Sequence, residues 1–160
     1  MSWSITELDR LVRTVARTIV DLEGTELFDG FELTPAVLDE LAAKSPESSK
    51  PYFDELRAST ANWSEEDYAA ANEQAADGER RLFALMLDDV PVDDPRVLDL
   101  MAEAHAAEQT LLVLSKDGYC ALARAFATAP ELRAHLAVRH PRLAEYLRDG
   151  MLAFAAARLS

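Results

Sequence analysis

A chain of 160 residues, rich in Ala, Leu, Glu and Arg with only 5 glycines, is long enough for one helical domain and gives little reason to expect two. Its 29 Asp and Glu against 16 Lys and Arg leave a formal charge of −13, which argues against nucleic acid or an anionic membrane as partner of this chain alone. One cysteine, no apolar run long enough to span a bilayer and no secretory leader at the start make an acidic, soluble, cytoplasmic, all-α protein the expectation.

Residues 4–23 open with a capping box from Ser4 to Glu7 and carry Ile5, Leu8, Val15, Ile19 and Leu22 at steps of three and four. Gly24 ends this amphipathic helix. Nothing nearby in sequence covers its apolar face, so it either folds back on the domain or pairs with another helix, a second copy of itself included. "ELFDGFEL" is an aromatic connector with Phe28 and Phe31 around Gly30. Thr34 and Pro35 start the next helix, which carries Val37, Leu38 and Leu41 and fades by Lys44. "SPESSKP", residues 45–51, reads as a loop, and a short helix is predicted over about 52–58.

Ser64 caps a long helix with Glu65, Glu66 and Asp67 in its first turn, where acidic side chains suit the helix dipole. Its apolar side, Tyr68, Ala71, Ala75, Leu82, Leu85 and Met86, runs to about Leu87. "DDVPVDDP" breaks it. Asp94 and Pro95 begin the next helix, placing Leu98, Met101, His105 and Leu112 on one face. Ser115 caps another, with Tyr119, Leu122, Ala123 and Phe126 in line. Thr128 to Glu131 reads as a further capping box with Pro130 in the first turn. A short helix with Leu132 and Leu136 follows, then a final helix from about Pro141. That last helix is apolar on two sides: Leu143, Leu147, Met151 and Phe154 mark one, Tyr146, Gly150 and Ala153 the other. Such a helix is buried between neighbours or backs something that comes and goes.

Little in the chain signals chemistry. No paired carboxylates, Gly-rich phosphate loop, nucleophile elbow or Ser-His-Asp order is visible, so no enzyme is expected. The histidines are His105, His135 and His140, and no pair has zinc spacing, so neither metal nor cofactor is expected. His105 lies on an apolar face, where it reads as a hydrogen-bonded core residue or as part of a pocket wall. Cys120 sits several residues past the Ser115 cap, with Lys116 about one turn away, and reads first as a small buried apolar residue. From 44 to 78 large apolar residues are sparse, and Trp63 and Tyr68 stand where a core has least claim on them.

From His105 through "LSKDGYCALARAFATAPELRAHLAVRHPRLAEYLRDGMLAFA" the chain resembles the end of the TipAS-type antibiotic-recognition domain, the effector-binding part of thiostrepton-responsive MerR-family regulators. The resemblance rests on His105, Ser115, Tyr119, Leu122, Phe126, the Ala129-Pro130-Glu131 turn, and Pro141 with Leu143, Tyr146 and Leu147. "ELFDGF" at 26–31 and "NWSEEDY" at 62–68 are similar to earlier parts of that domain. Two stretches depart from the pattern, "LAAKSPESSKP" and "EQTLLVLS", and both line the ligand region in the family.

The resemblance implies a globin-like packing of about seven or eight helices, with a mobile amino-terminal half over a rigid carboxy-terminal half. Residues 1–24 then resemble the end of a MerR-type dimerisation helix, which makes 4–23 a candidate homodimer contact, and 25–160 form the ligand-binding domain. The winged helix that reads DNA in the family is absent from the sequence, so an effector domain alone is expected. Its expected role is non-catalytic binding of a bulky, largely apolar antibiotic, thiopeptide-like or otherwise multi-aromatic, for sequestration or for transcriptional sensing. The candidate ligand-binding residues are Trp63, Tyr68, Met101, His105, Leu112, Tyr119, Cys120 and Phe126. Some family members capture ligands on a thiol, which is the functional reading of Cys120. The rival expectation is a helical protein-interaction or dimerisation module with no small-molecule ligand.

Overall fold

The computed structural model describes residues 34–44, 47 and 50–160. Among these it contains seven helices and no strand: α1 (Pro35–Lys44), α2 (Lys50–Thr60), α3 (Glu65–Leu87), α4 (Pro95–Leu111), α5 (Lys116–Thr128), α6 (Pro130–Arg139) and α7 (Leu143–Arg158). The expected helix over 4–23 and the aromatic connector after it lie outside the described residues.

Most boundaries follow from local chemistry. Ahead of α3 the Ser64 hydroxyl accepts from the Asp67 amide at 3.2 Å, and the Asp67 carboxylate accepts from the Ser64 amide at 2.9 Å. This capping box satisfies two amides that a helix start leaves without partners. Ser64→Ala is therefore expected to lower unfolding free energy by about 1 kcal/mol, measurable by urea denaturation with the slope unchanged. Asp94 accepts from the Arg96 amide at 2.9 Å with Pro95 at the first position of α4, and Ser115 accepts from the Gly118 amide at 3.1 Å to start α5. Between α3 and α4, Asp89 takes a left-handed conformation (φ 54°) that short polar side chains tolerate, and the chain reverses.

Three boundaries differ from the sequence expectation. Lys50 and Pro51 belong to α2, because a proline in the first turn of a helix has no intrahelical N–H to lose. Thr128 does not cap α6. Its hydroxyl donates back to the Arg124 carbonyl at 2.9 Å as the last residue of α5, and Ala129 alone, with no side-chain cap, separates the two helices. The final helix begins at Leu143 rather than Pro141, after a turn in which the Leu143 amide donates to the His140 carbonyl at 3.1 Å.

The main core gathers Leu82, Met86, Val97, Leu100, Met101, Tyr119, Ala123, Leu143, Met151 and Phe154 from α3, α4, α5 and α7. Gly150 sets the closeness of α7 to α4: a Cβ there would lie 3.3 Å from Val97 Cγ1 and 3.8 Å from Met101 Sδ. A branched side chain has no room at that crossing, so Gly150→Leu is expected to cost about 2 kcal/mol or more by forcing the helices apart. A fall in melting temperature would report it. The Tyr146 hydroxyl donates to the Val90 carbonyl at 2.7 Å and fastens α7 to the turn between α3 and α4. A second, smaller cluster of Leu38, Leu56 and Tyr68, with Trp63 and Leu111 against it, joins α1, α2 and the start of α3 to the end of α4.

Candidate ligand-binding site

The space between α3 and α4 is set by the order of side-chain sizes along their facing sides. On α3 the inward positions read Tyr68, Ala71, Ala75, Gly78, Leu82 and Met86. On α4 they read Leu100, Met101, Ala104, Ala107, Glu108 and Leu111. Large residues meet at both ends of the hairpin, in the main core at one end and in the Tyr68–Leu111 cluster at the other. Helix separation follows the bulk at the contacts, and the alanines and Gly78 between those two ends leave the middle open. A Cβ added to Gly78 would meet nothing within 4 Å. The result is a half-open hollow of about 840 Å³, a size suited to a drug-sized or larger ligand.

Its floor comes from α5, α6 and α7, through Tyr119, Phe126, Leu136, Leu143, Leu147 and Met151. The two apolar sides of the last helix thus have different duties. Leu143, Leu147 and Met151 face the hollow, while Gly150 is pressed against α4. Trp63 closes the end near the start of α3 and is held edge-on by Tyr68, with ring centroids 5.1 Å apart.

Most of the charged groups in this wall are matched. Arg81 joins Glu103 and also reaches Asp77 at 3.7 Å. Glu79 meets Arg139 at 3.4 Å, and Asp67 is engaged in the α3 cap. Glu108 differs. It keeps some accessible surface where it lines the hollow, yet its carboxyl is nearly surrounded by protein and has no cation or hydrogen-bond donor among the described residues. Burial alone pushes it from the ordinary 4.5 up to about 7. The Tyr119 phenol, with no hydrogen-bond partner among the described residues, is raised above its usual range by burial first, then by the charges of Glu108 and Cys120.

Of the residues singled out from the sequence, Trp63, Met101, Tyr119 and Phe126 line this hollow. Tyr68 is buried behind Trp63 rather than beside the space. His105 stands behind the wall, its Nε2 2.9 Å from the Gln109 amide nitrogen and its ring 5.2 Å from Tyr119 and 5.4 Å from Phe154. Leu112 is buried at the C-cap of α4, and Cys120 is half-buried against the main core; neither lines the hollow. Glu108 was missed by sequence reasoning, although a signal existed. It stands seven residues after Met101 and three before Leu111, a carboxylate on an apolar stripe. No group of three or more His, Cys, Asp or Glu suited to a metal ion occurs among the described residues.

Comparison with known proteins identifies the family. Residues 44–154 match the family model of the TipAS antibiotic-recognition domain. The chain is 28% identical over 159 residues to the HTH-type transcriptional regulator SkgA of Caulobacter vibrioides strain NA1000 / CB15N, covering 93% of this chain and 62% of the relative. The SkgA of strain ATCC 19089 / CIP 103742 / CB 15 matches to the same extent. The chain therefore spans about three-fifths of the length of these relatives. No solved structure matches.

Proposed function

Because the chain belongs to the TipAS antibiotic-recognition domain family, we propose that it is a non-catalytic receptor for a bulky, largely apolar, antibiotic-like compound held between α3 and the α4–α5–α7 wall. The observation that carries this reading is the hollow itself, about 840 Å³ with Trp63, Tyr119 and Phe126 among its walls. A close-packed domain leaves few voids larger than a water molecule, and a space of this size with aromatic faces suits a multi-ring guest. The relatives are transcriptional regulators by name, which supports effector sensing coupled to a DNA-binding part; sequestration of the compound is the other outcome of the same binding event. The proposed setting is the cytoplasm. No described helix is long and apolar enough to cross a membrane.

The amino-terminal part of α3 is the proposed moving part. Between Glu65 and Arg81 only Tyr68 is buried, whereas Leu82 and Met86 anchor the other end of the helix. A segment with so few core contacts opens at low cost, and ordering it over a guest is offset by the apolar surface both partners remove from water.

Native mass spectrometry against a library of natural-product antibiotics tests the receptor reading. A one-to-one complex is expected with at least one multi-ring compound, together with a change in Trp63 emission and a raised melting temperature. An empty screen with neither response contradicts it. The rival reading, a pairing module without a guest, requires that side chains fill this space on association. Pairing through residues 4–23 is a separate part of the proposal: Val15→Asp with Ile19→Asp is expected to convert a dimer to a monomer in sedimentation, and an unchanged mass would remove it.

A further inference from the structure

The chemistry of the wall narrows the guest further, on the premise that the hollow is a binding site. Five carboxylates line it, Asp67, Asp77, Glu79, Glu103 and Glu108, against one cation, Arg81. Four are engaged as described above: Asp67 by the Ser64 amide, Asp77 and Glu103 by Arg81, and Glu79 by Arg139 of α6. Glu108 alone among them is nearly enclosed and without a partner within the described residues. An enclosed carboxylate without a counter-charge is costly to keep, and a wall built only to hold an oily guest has no use for one.

The groups around Glu108 leave its charge unanswered. On its own helix, His105 is turned toward Tyr119, Phe154 and Gln109, and Glu103 is paired. From α2, the Glu55 carboxylate accepts from the Val113 amide at 3.4 Å. From α3, Arg81 is held by Glu103 and Asp77. From α5 comes the Tyr119 phenol, an uncharged donor. From α6, Arg133 is bound to Glu145 and Arg139 to Glu79. From α7 the lining residues are apolar. Trp63, Tyr119 and Phe126 line the same space, and an aromatic ring also attracts positive charge to its face.

We propose that the guest is a lipophilic cation, an amine-bearing or otherwise positively charged multi-ring compound, and that its charged centre sits against Glu108 with its apolar rings on the aromatic and aliphatic wall. The carboxylate gains the counter-charge it lacks, and the guest gains the partner that an apolar pocket alone would deny its charge. Neutral compounds of equal size meet an unpaired carboxyl instead, and anions are repelled. Binding of a permanent cation requires the ionised carboxylate, so affinity rises as pH increases through the range in which Glu108 loses its proton.

Equilibrium dialysis of the full chain with three probes tests this: tetraphenylphosphonium, its isosteric anion tetraphenylborate, and neutral triphenylmethanol. In moderate salt, which screens surface charge more than enclosed charge, the cation is expected to bind at least about tenfold more tightly than the neutral probe, with the anion weakest. Glu108→Gln is expected to lower cation affinity about tenfold or more and not to weaken the neutral probe. Glu65→Gln, an exposed acid outside the hollow, should change neither. Lowering the pH from about 8 to about 5.5 should weaken cation binding about tenfold in the parent and in His105→Gln, but not in Glu108→Gln. Equal affinities for cation and neutral probe, or equal losses in Glu65→Gln and Glu108→Gln, would overturn the inference while leaving the receptor reading in place. If none of the three probes binds, the cation inference is overturned; the receptor reading falls with it only if the antibiotic screen is also empty.

Discussion

Replacing Ala71 and Ala104 together by tryptophan is expected to weaken guest binding by at least about a hundredfold while leaving the domain folded and no less stable. Both alanines line the hollow, Ala71 on α3 and Ala104 on α4. Their neighbours are kept apart by the bulky clusters at the two ends of the hairpin, so new side chains enter empty space rather than a packed core. An indole buried in the hollow removes on the order of 200 Å² of its own surface from water, which at about 25 cal/mol per Å² outweighs the lost rotamer freedom. Circular dichroism should be unchanged and the melting temperature equal or higher. Such a gain distinguishes this pair from Leu143→Ala at the floor of the same hollow. Leu143 is fully buried, and its truncation is expected to cost about 3 kcal/mol through lost contacts and an enlarged void. Retained affinity in the double tryptophan variant would place the guest elsewhere.

A second large effect concerns the free protein and pH. Glu108 holds its proton up to about 7 in the fold, whereas an unfolded chain releases it near the ordinary 4.5. Between those values the unfolded state binds fewer protons, so unfolding free energy falls as pH rises through the window and levels off above it. At about 1.4 kcal/mol per unit, discounted for water in a half-open hollow, the loss is on the order of 2 kcal/mol. Glu108→Gln cannot ionise and keeps that stability. The variant is expected to melt about 5 °C above the parent near pH 8 and to match it near pH 4.5. Asp94 and Glu145 move oppositely: hydrogen bonds from Arg96 and Arg133 hold their carboxyls below the usual range. Their stabilising contribution fades only as pH falls below the ordinary carboxylate range, and it cancels between parent and variant. Parallel pH profiles would show that Glu108 is solvated and unperturbed. A guest that supplies a positive charge should abolish the penalty, so its stabilising effect should be larger near pH 8 than near pH 5.5.

The helices were largely legible because their ends are written in local chemistry. Ser64 with Asp67, Asp94 with Pro95, and Ser115 each announce a helix start that any fold would respect, and α3, α4 and α5 begin there. Thr128 misled because one hydroxyl can serve two backbones. It could have accepted from the turn ahead, but it donates to the carbonyl behind, and the pattern of letters is the same for both. The inward face of α3 was also legible, since Ala71, Ala75, Leu82 and Met86 fall at helical spacing. What that face encloses was not. Periodicity reports direction, whereas a hollow depends on distance, and distance here is set by residues at the two ends of a hairpin rather than by the alanines between them.

The candidate site divides along the same line. Aromatic residues with weak claims on a core, such as Trp63, can be found by asking where the apolar residues run out. Tyr68 shares that neighbourhood in sequence but is spent on holding Trp63 and the α1–α2 cluster. His105 and Cys120 drew notice from the sequence, yet neither lines the hollow. Glu108, an ordinary residue on an acidic chain, becomes unusual only when its surroundings are known.

Guest binding requires that the space lined by Ala71 and Ala75 on α3 and by Ala104 and Ala107 on α4 be open. Methyl spectra of the protein labelled at alanine, recorded with and without a compound that binds, report on that space directly. Resonances of these four alanines are expected to move together and in proportion to occupancy, while those of Ala121 and Ala129, which do not line the hollow, stay fixed. Saturable binding that leaves all four alanine methyls unmoved would contradict it.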